Sequence, residues 1–250
     1  MPIDFDGRAE MGKEMGMMAR ADSVLVVAAH PDDEVMGCGG AIAKHRDLGQ
    51  SVRVVFLAEG VTARFPESEL ELESVREVSL RRNQNALRAL AVLGVEAGEI
   101  FLSERYCCRL DGVPQIDLVK DVERHIRELR PRRIYTHAGH DTNVDHRLAQ
   151  TTVLAAARPV WPFPIDLYAF EVLSSTEWNA LAPFAPTMFA DIGGALERKI
   201  AALACYEEEL REPPHPRSVE AVRALATFRG AQAGLLCAEA FQLIRAVEPT

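Results

Sequence analysis

The apolar run Val24-Leu25-Val26-Val27-Ala28-Ala29 passes directly into His30-Pro31-Asp32-Asp33-Glu34, and the glycine-rich stretch Gly37-Cys38-Gly39-Gly40 follows at once. A short, uninterrupted apolar segment suits a strand covered on both faces, as in a parallel sheet layered by helices. In such folds ligands bind beyond the carboxyl ends of the strands. A histidine and three acids at that position therefore mark a candidate site. A second polar cluster, His137-Ala138-Gly139-His140-Asp141-Thr142-Asn143-Val144-Asp145-His146-Arg147, lies just past another short apolar run.

The pattern between and beyond these clusters alternates strand and helix. Strands are expected over 23–29, 51–58, 99–102, 133–136 and 165–172. Helices are expected over 38–48, 68–93, 115–130 and 145–157, with a short one over 8–20. Gly49, Gly94 and Pro131 punctuate them. After the prolines at 159, 162 and 164 the pattern changes, and helices are expected over 193–210 and 217–246 around Pro213-Pro214-His215-Pro216. Alternation at this spacing predicts right-handed βαβ units. The expected fold is α/β: a Rossmann-like, mostly parallel sheet sandwiched by helices, in one domain of 250 residues with a helical C-terminal portion.

Composition narrows the function. The formal net charge is -9 with no basic block, which argues against a nucleic-acid partner. An anionic small substrate remains compatible, because a pocket can be locally basic. No apolar run approaches the roughly 20 residues of a membrane span. The mixed, charged start of the chain does not read as a signal peptide. Five scattered cysteines without a Cys-x-x-Cys pair suit a reducing, cytoplasmic setting.

Pro31 disfavours helix at His30 and holds it extended. His30 and Asp33 are three apart, so a tight turn aims both at one ion and leaves Asp32 free as a base. A catalytic zinc takes three protein ligands and keeps a position open, and His146 is the natural third. Two histidines and one carboxylate equally suit ferrous iron, so ligand type leaves the metal open. The competing reading of His-Pro-Asp-Asp is a helix cap. Asp145 fits as a carboxylate that orients a histidine, with N-capping as the alternative for it and for Asp141. Asn143 can donate to a developing oxyanion. His137 and His140 are open between ligand, acid and solvated loop. His45 and His125 read as solvated helix surface, Cys38 as a small buried residue, and His215 as either a pocket residue on a rigid loop or a structural turn.

Ala29-His30-Pro31-Asp32-Asp33-Glu34 resembles the defining motif of the LmbE-like, or PIG-L-type, metal-dependent de-N-acetylases of amino sugars, and Asp145-His146-Arg147 resembles their second motif. The resemblance covers about residues 22–158. The segments Glu171 to Trp178 and His215-Pro216-Arg217-Ser218 are similar to a bacterial subgroup and extend it over 159–250. It implies zinc on His30, Asp33 and His146, Asp32 as general base, and hydrolysis of the N-acetyl group of a free sugar, glycoside or sugar nucleotide. It also implies a homo-oligomer, such as a trimer or hexamer, with His215 near the site in cis or in trans.

Three positions depart from the family pattern. Asn143 stands where many members place a histidine that helps hold the oxyanion. His215 is the first candidate to supply a cation instead, with His137 behind it. Ser103 to Cys108 replaces a proline and aspartate that line the substrate pocket of many relatives. Arg81-Arg82 stands where others place an acid after arginine. Arg64 and Arg82 are candidate contacts for a phosphate or carboxylate on the substrate, with solvated arginines as the alternative. Tyr106 and Trp178 are candidate aromatic platforms for a sugar. The alternative substrate class is a non-sugar N-acyl amide, such as an amino acid or thiol conjugate.

Overall fold

A computed structural model describes residues 22–248. The expected helix over 8–20 lies outside the described residues. The first strand, β1 (Val24–Ala28), is fully buried and feeds α1 (Asp33–Asp47). The chain continues through β2 (Val52–Phe56), α2 (Glu73–Val92), β3 (Ile100–Phe101), α3 (Gln115–Leu129), β4 (Arg133–His137), α4 (Val144–Ala156) and β5 (Asp166–Phe170). It ends with β6 (Met188–Asp191), α5 (Leu196–Ala204), α6 (Val219–Gln232) and β7 (Ala238–Arg245).

The seven strands among the described residues form one sheet in the order β3-β2-β1-β4-β5-β7-β6. The first five in that order are parallel, and β7 runs antiparallel to both β5 and β6. Chain progression moves outward from β1 on one side through β2 and β3, then returns to β4 on the other. The order therefore reverses between β1 and β4, and a crevice opens at their carboxyl ends. Both polar clusters lie there. The alternating side chains of β1 serve two cores, Val24 and Val26 one layer and Leu25 and Val27 the other, which is why every residue of the strand is apolar.

The expected helix over 217–246 is corrected. It stops at Gln232, Gly234 takes a left-handed φ of 71°, and β7 follows. The Ala, Glu, Gln, Leu and Arg of β7 favour helix, but pairing with two strands overrides that preference. The expected helix over 193–210 shortens to α5, the long helix over 68–93 starts at Glu73, and β6 had no counterpart in the sequence reading.

The α1 helix is broken at Cys38, whose φ of -146° is not helical. The amides beyond the break are capped by Glu239 from β7, which accepts from Gly40 N at 2.8 Å and Ala41 N at 2.7 Å. Lys199 neutralises that carboxylate at 2.6 Å. Gly37 and Gly40 let α1 approach closely, since a Cβ there would overlap Phe170 and Ile192.

His125 is buried beside Phe101 rather than solvated, and His45 is half-buried against the Tyr135 hydroxyl at 3.0 Å. Cys38 is buried, as expected.

Candidate active site

The turn from β1 into α1 builds one wall of the site. Asp32 adopts a left-handed backbone, φ 116°, with Glu34 Oε2 accepting from its amide at 2.9 Å. A non-glycine residue held there is strained, and such strain concentrates at functional positions. Asp33 Oδ2 accepts from His30 N at 2.9 Å, closing the tight turn that the three-residue spacing requires.

Asp33 Oδ2 lies 3.3 Å from His30 Nδ1 and 3.2 Å from His146 Nε2. One donor atom from each of the three residues falls within 4.8 Å of the others. All three side chains are buried, and Asp33 Oδ1 has no hydrogen-bond partner. A buried carboxylate with one oxygen between two imidazoles and the other without a partner fits a divalent cation. Burial alone would raise the Asp33 carboxyl, yet His146, His30 and His137 hold it well below the usual range. Burial would lower both histidines, but their carboxylate partners raise His30 to about 10 and His146 to about 9.

Each histidine is oriented by an acid on its far side. Asp145 Oδ2 faces His30 Nε2 at 3.0 Å, so Asp145 serves the distant histidine rather than its neighbour His146. His146 Nδ1 instead faces Asp141 at 3.1 Å, whose other contacts include Ser175 Oγ at 2.9 Å. Asp145 is also held by the amides of Cys108 and Leu110, at 2.6 and 3.1 Å. Asn143 caps α4 by accepting from Asp145 N at 2.9 Å, which leaves its amide nitrogen for the cleft.

Above these residues lies a cleft of about 290 Å³, lined by His30, Asp32, Arg64, Arg82, Cys107, Asn143, His146, Ser174, Trp178, Glu209, His215 and Arg217, among others. Asp32 meets Arg82 at 2.9 Å and Arg217 at 2.6 Å. Glu209 pairs with Arg64, Arg82 and Arg217, and Arg217 also donates to Ser174 Oγ at 2.8 Å. Burial raises the Asp32 carboxyl, while Arg217 and Arg82 oppose the rise. Arg82 is buried and Nε donates to Pro31 O at 2.8 Å, so the solvated alternative fails for it. The cleft is thus locally cationic on a chain of negative charge.

Two expected contacts do not reach the cleft. His137 is fully buried under His146, ring centroids 4.0 Å apart, and its Nε2 accepts from Ala29 N at 2.8 Å. A ring so engaged neither meets substrate nor supplies a cation, and burial and the neighbouring His146 push its pKa well down. Tyr106 hydrogen-bonds Glu71 and lines an adjacent hollow with Glu59, Arg76 and Leu80. His215 does line the cleft of its own chain, with Nδ1 accepting from Arg217 N at 3.0 Å. The cation that this loop brings to Asp32, beside Arg82, is Arg217, two residues further on. Ser175 and Glu209 were not anticipated, and Asp141, weighed in the sequence against N-capping, orients His146. Asp141 had a signal in its place within the second cluster, whereas Glu209, inside a run of three glutamates, had none.

The topological switch point, the buried His-Asp-His set and the oriented imidazoles define an α/β protein with a candidate metal site. Residues 25–157 match the family model described as GlcNAc-PI de-N-acetylase, PIG-L, and the chain belongs to that family. It is 30% identical to 4-oxalmesaconate hydratase of Pseudomonas putida over 200 residues, 73% of this chain and 72% of that one. It is 29% identical to the 1D-myo-inositol 2-acetamido-2-deoxy-alpha-D-glucopyranoside deacetylase of Tsukamurella paurometabola, over 72% of this chain and 66% of the relative. The fold matches N,N'-diacetylchitobiose deacetylase from Pyrococcus horikoshii with a TM-score of 0.71, 20% identity, and coverage of 96% and 94%. No helix among the described residues is long and apolar enough to cross a membrane.

Proposed function

We propose that the protein is a zinc-dependent hydrolase that removes the N-acetyl group from an amino sugar or its glycoside. The observation that carries this reading is the His30–Asp33–His146 set at the floor of the cleft with Asp32 beside it. His30, Asp33 and His146 would hold the ion, which when bound acidifies water and polarises a carbonyl. Ferrous iron suits the same donors.

Asp32 accepts the proton of the attacking water and returns it to the departing amine. The pairing of Asp32 with Arg82 and Arg217 fixes its carboxylate and favours the ionised form a base requires. Arg217 takes the cationic place that Asn143 cannot fill. The amide nitrogen of Asn143 donates to the developing oxyanion. His215, tied to Arg217, and exposed Trp178 face the substrate at the mouth, the indole as a platform for a sugar ring. Arg64 and Arg82 act through Glu209, which holds the arginines in place.

A second reading is addition of water to an unsaturated carboxylate, the chemistry named for the Pseudomonas putida relative. The arginines of the cleft favour it, since they suit a carboxylate-bearing substrate.

Release of amine and acetate from a panel of N-acetylated sugars, glycosides and sugar nucleotides tests the first reading, with wild type and Asp32→Ala both supplied with zinc. Turnover of one class that disappears in the variant is the expected result. No release from any sugar, together with loss of absorbance from a conjugated unsaturated acid, would transfer the assignment to hydration. A cytoplasmic homo-oligomer remains part of the proposal, tested by sedimentation.

A further inference from the structure

Beside the His-Asp-His set lies a pair of thiols that the proposed reaction does not use. Cys107 and Cys108 are adjacent in sequence, and in an extended chain their side chains would point to opposite faces. Here Cys108 takes a left-handed φ of 58°, and the two sulfurs come within 3.8 Å of each other. The turn is held by its own amides: Cys107 N donates to Glu59 Oε1 at 3.0 Å and Thr62 Oγ1 at 2.8 Å, and Cys108 N donates to Asp145 Oδ2. Asp145 and His30 complete the group, with one donor atom from each of the four residues lying within 4.8 Å of the others.

We propose that Cys107, Cys108 and Asp145, with His30 at their edge, form a second metal site for a thiophilic divalent ion, adjoining the His30–Asp33–His146 set at His30 and distinct from it in its sulfur donors. The spacing carries the argument. Two thiolates about 2.3 Å from a tetrahedral zinc stand about 3.8 Å apart, which is the separation present here. A disulfide, by contrast, asks for Cα atoms at least about 4.4 Å apart, beyond the roughly 3.8 Å that a trans peptide allows neighbours. The sulfurs, 3.8 Å apart, thus stand at chelating distance and well beyond disulfide bonding distance. Soft thiolate ligands also discriminate this site from the nitrogen and oxygen donors next to it.

Entry is open, because Cys108 is exposed while Cys107 is buried on the cleft wall. Binding displaces the thiol protons to solvent and involves no redox step. It also has a consequence. Asp145 Oδ2 is the atom that orients His30, so an ion drawing on Asp145 loosens His30 from the first site. Excess thiophilic metal would then inhibit. That consequence rests on the reading of His30 as a ligand of the first ion, but the site itself does not.

The test is titration of the zinc-loaded, reduced protein with Cd²⁺, followed by the ultraviolet thiolate-to-cadmium charge-transfer band. Wild type is expected to give one equivalent per chain with the intensity of two thiolates. Cys108→Ser alters only an exposed side chain and keeps the amide that holds Asp145. It should halve or abolish the band and weaken binding at least about 10-fold, the lower bound seen when even an indirect supporter of a metal ligand is lost. Cys107→Ser should do the same. Absence of the band in wild type, or an unchanged band in both variants, would overturn the site. Inhibition by excess ion, scored against each variant's own uninhibited rate, should need at least about 10-fold more ion in Cys108→Ser. A protein inactive on every sugar that still shows the band keeps this site and loses the proposed function, and an active one without the band does the reverse.

Discussion

Asp145→Asn separates metal orientation from scaffolding. The carboxylate is fully buried and meets three groups: Cys108 N at 2.6 Å, Leu110 N at 3.1 Å and His30 Nε2 at 3.0 Å. An amide keeps the volume but has one accepting oxygen. Its best placement puts that oxygen where Oδ2 was, serving Cys108 and His30, and turns the NH₂ toward the Leu110 amide. One buried donor is then opposed, at a cost of about 1–3 kcal/mol. Against a typical total of about 5–15 kcal/mol the variant still folds.

The effect on the metal is distinct. A hydrogen bond to a charged partner contributes about 1.5–3 kcal/mol, and a neutral one about 0.5–1.5. His30 therefore loses about 1–1.5 kcal/mol of support for the orientation in which Nδ1 faces Asp33, near tenfold in affinity. Loss of rigidity extends the range to about 100-fold. Competition against a chromophoric chelator at pH 7 measures the zinc affinity, and thermal melting measures the fold. Wild-type zinc affinity in a folded Asp145→Asn protein would refute the reasoning and reduce Asp145 to a brace for the 107–110 turn.

Two further perturbations probe the cleft and the core. Arg217→Met removes a cation 2.6 Å from Asp32, leaving Arg82 opposed by Asp33 and Glu209. The Asp32 pKa rises further, the base is ionised only at higher pH, and the acid limb of kcat/KM should move up by about one to three pH units, whereas an unmoved limb would detach Arg217 from Asp32. Glu239→Gln leaves Lys199 buried without its counter-charge and weakens the cap on the broken α1, so stability should fall by about 3–5 kcal/mol in a thermal or denaturant melt.

Much of the site was legible because its residues are held by local geometry. The apolar run of β1 must end where it does, and the three-residue spacing from His30 to Asp33 closes a turn whose hydrogen bond is internal to the motif. Long-range partners left weaker traces. Asp145 faces His30 across 115 positions, and nothing in the second cluster alone distinguishes that from orienting the adjacent His146. One of the two cations beside Asp32, Arg217, comes from 185 residues away, on the proline-rich loop whose rigidity singles out His215 in the sequence. The same physics hid β7: its helix-favouring residues become a strand only because β5 and β6 offer edges to pair with. That strand then delivers Glu239 to the break in α1. The position of α1, whose first residues carry Asp33, is thus tied to a strand that local propensity reads as helix. Sequence signals were strong where one turn supplies both partners of a contact, and faded where the sheet had to assemble first.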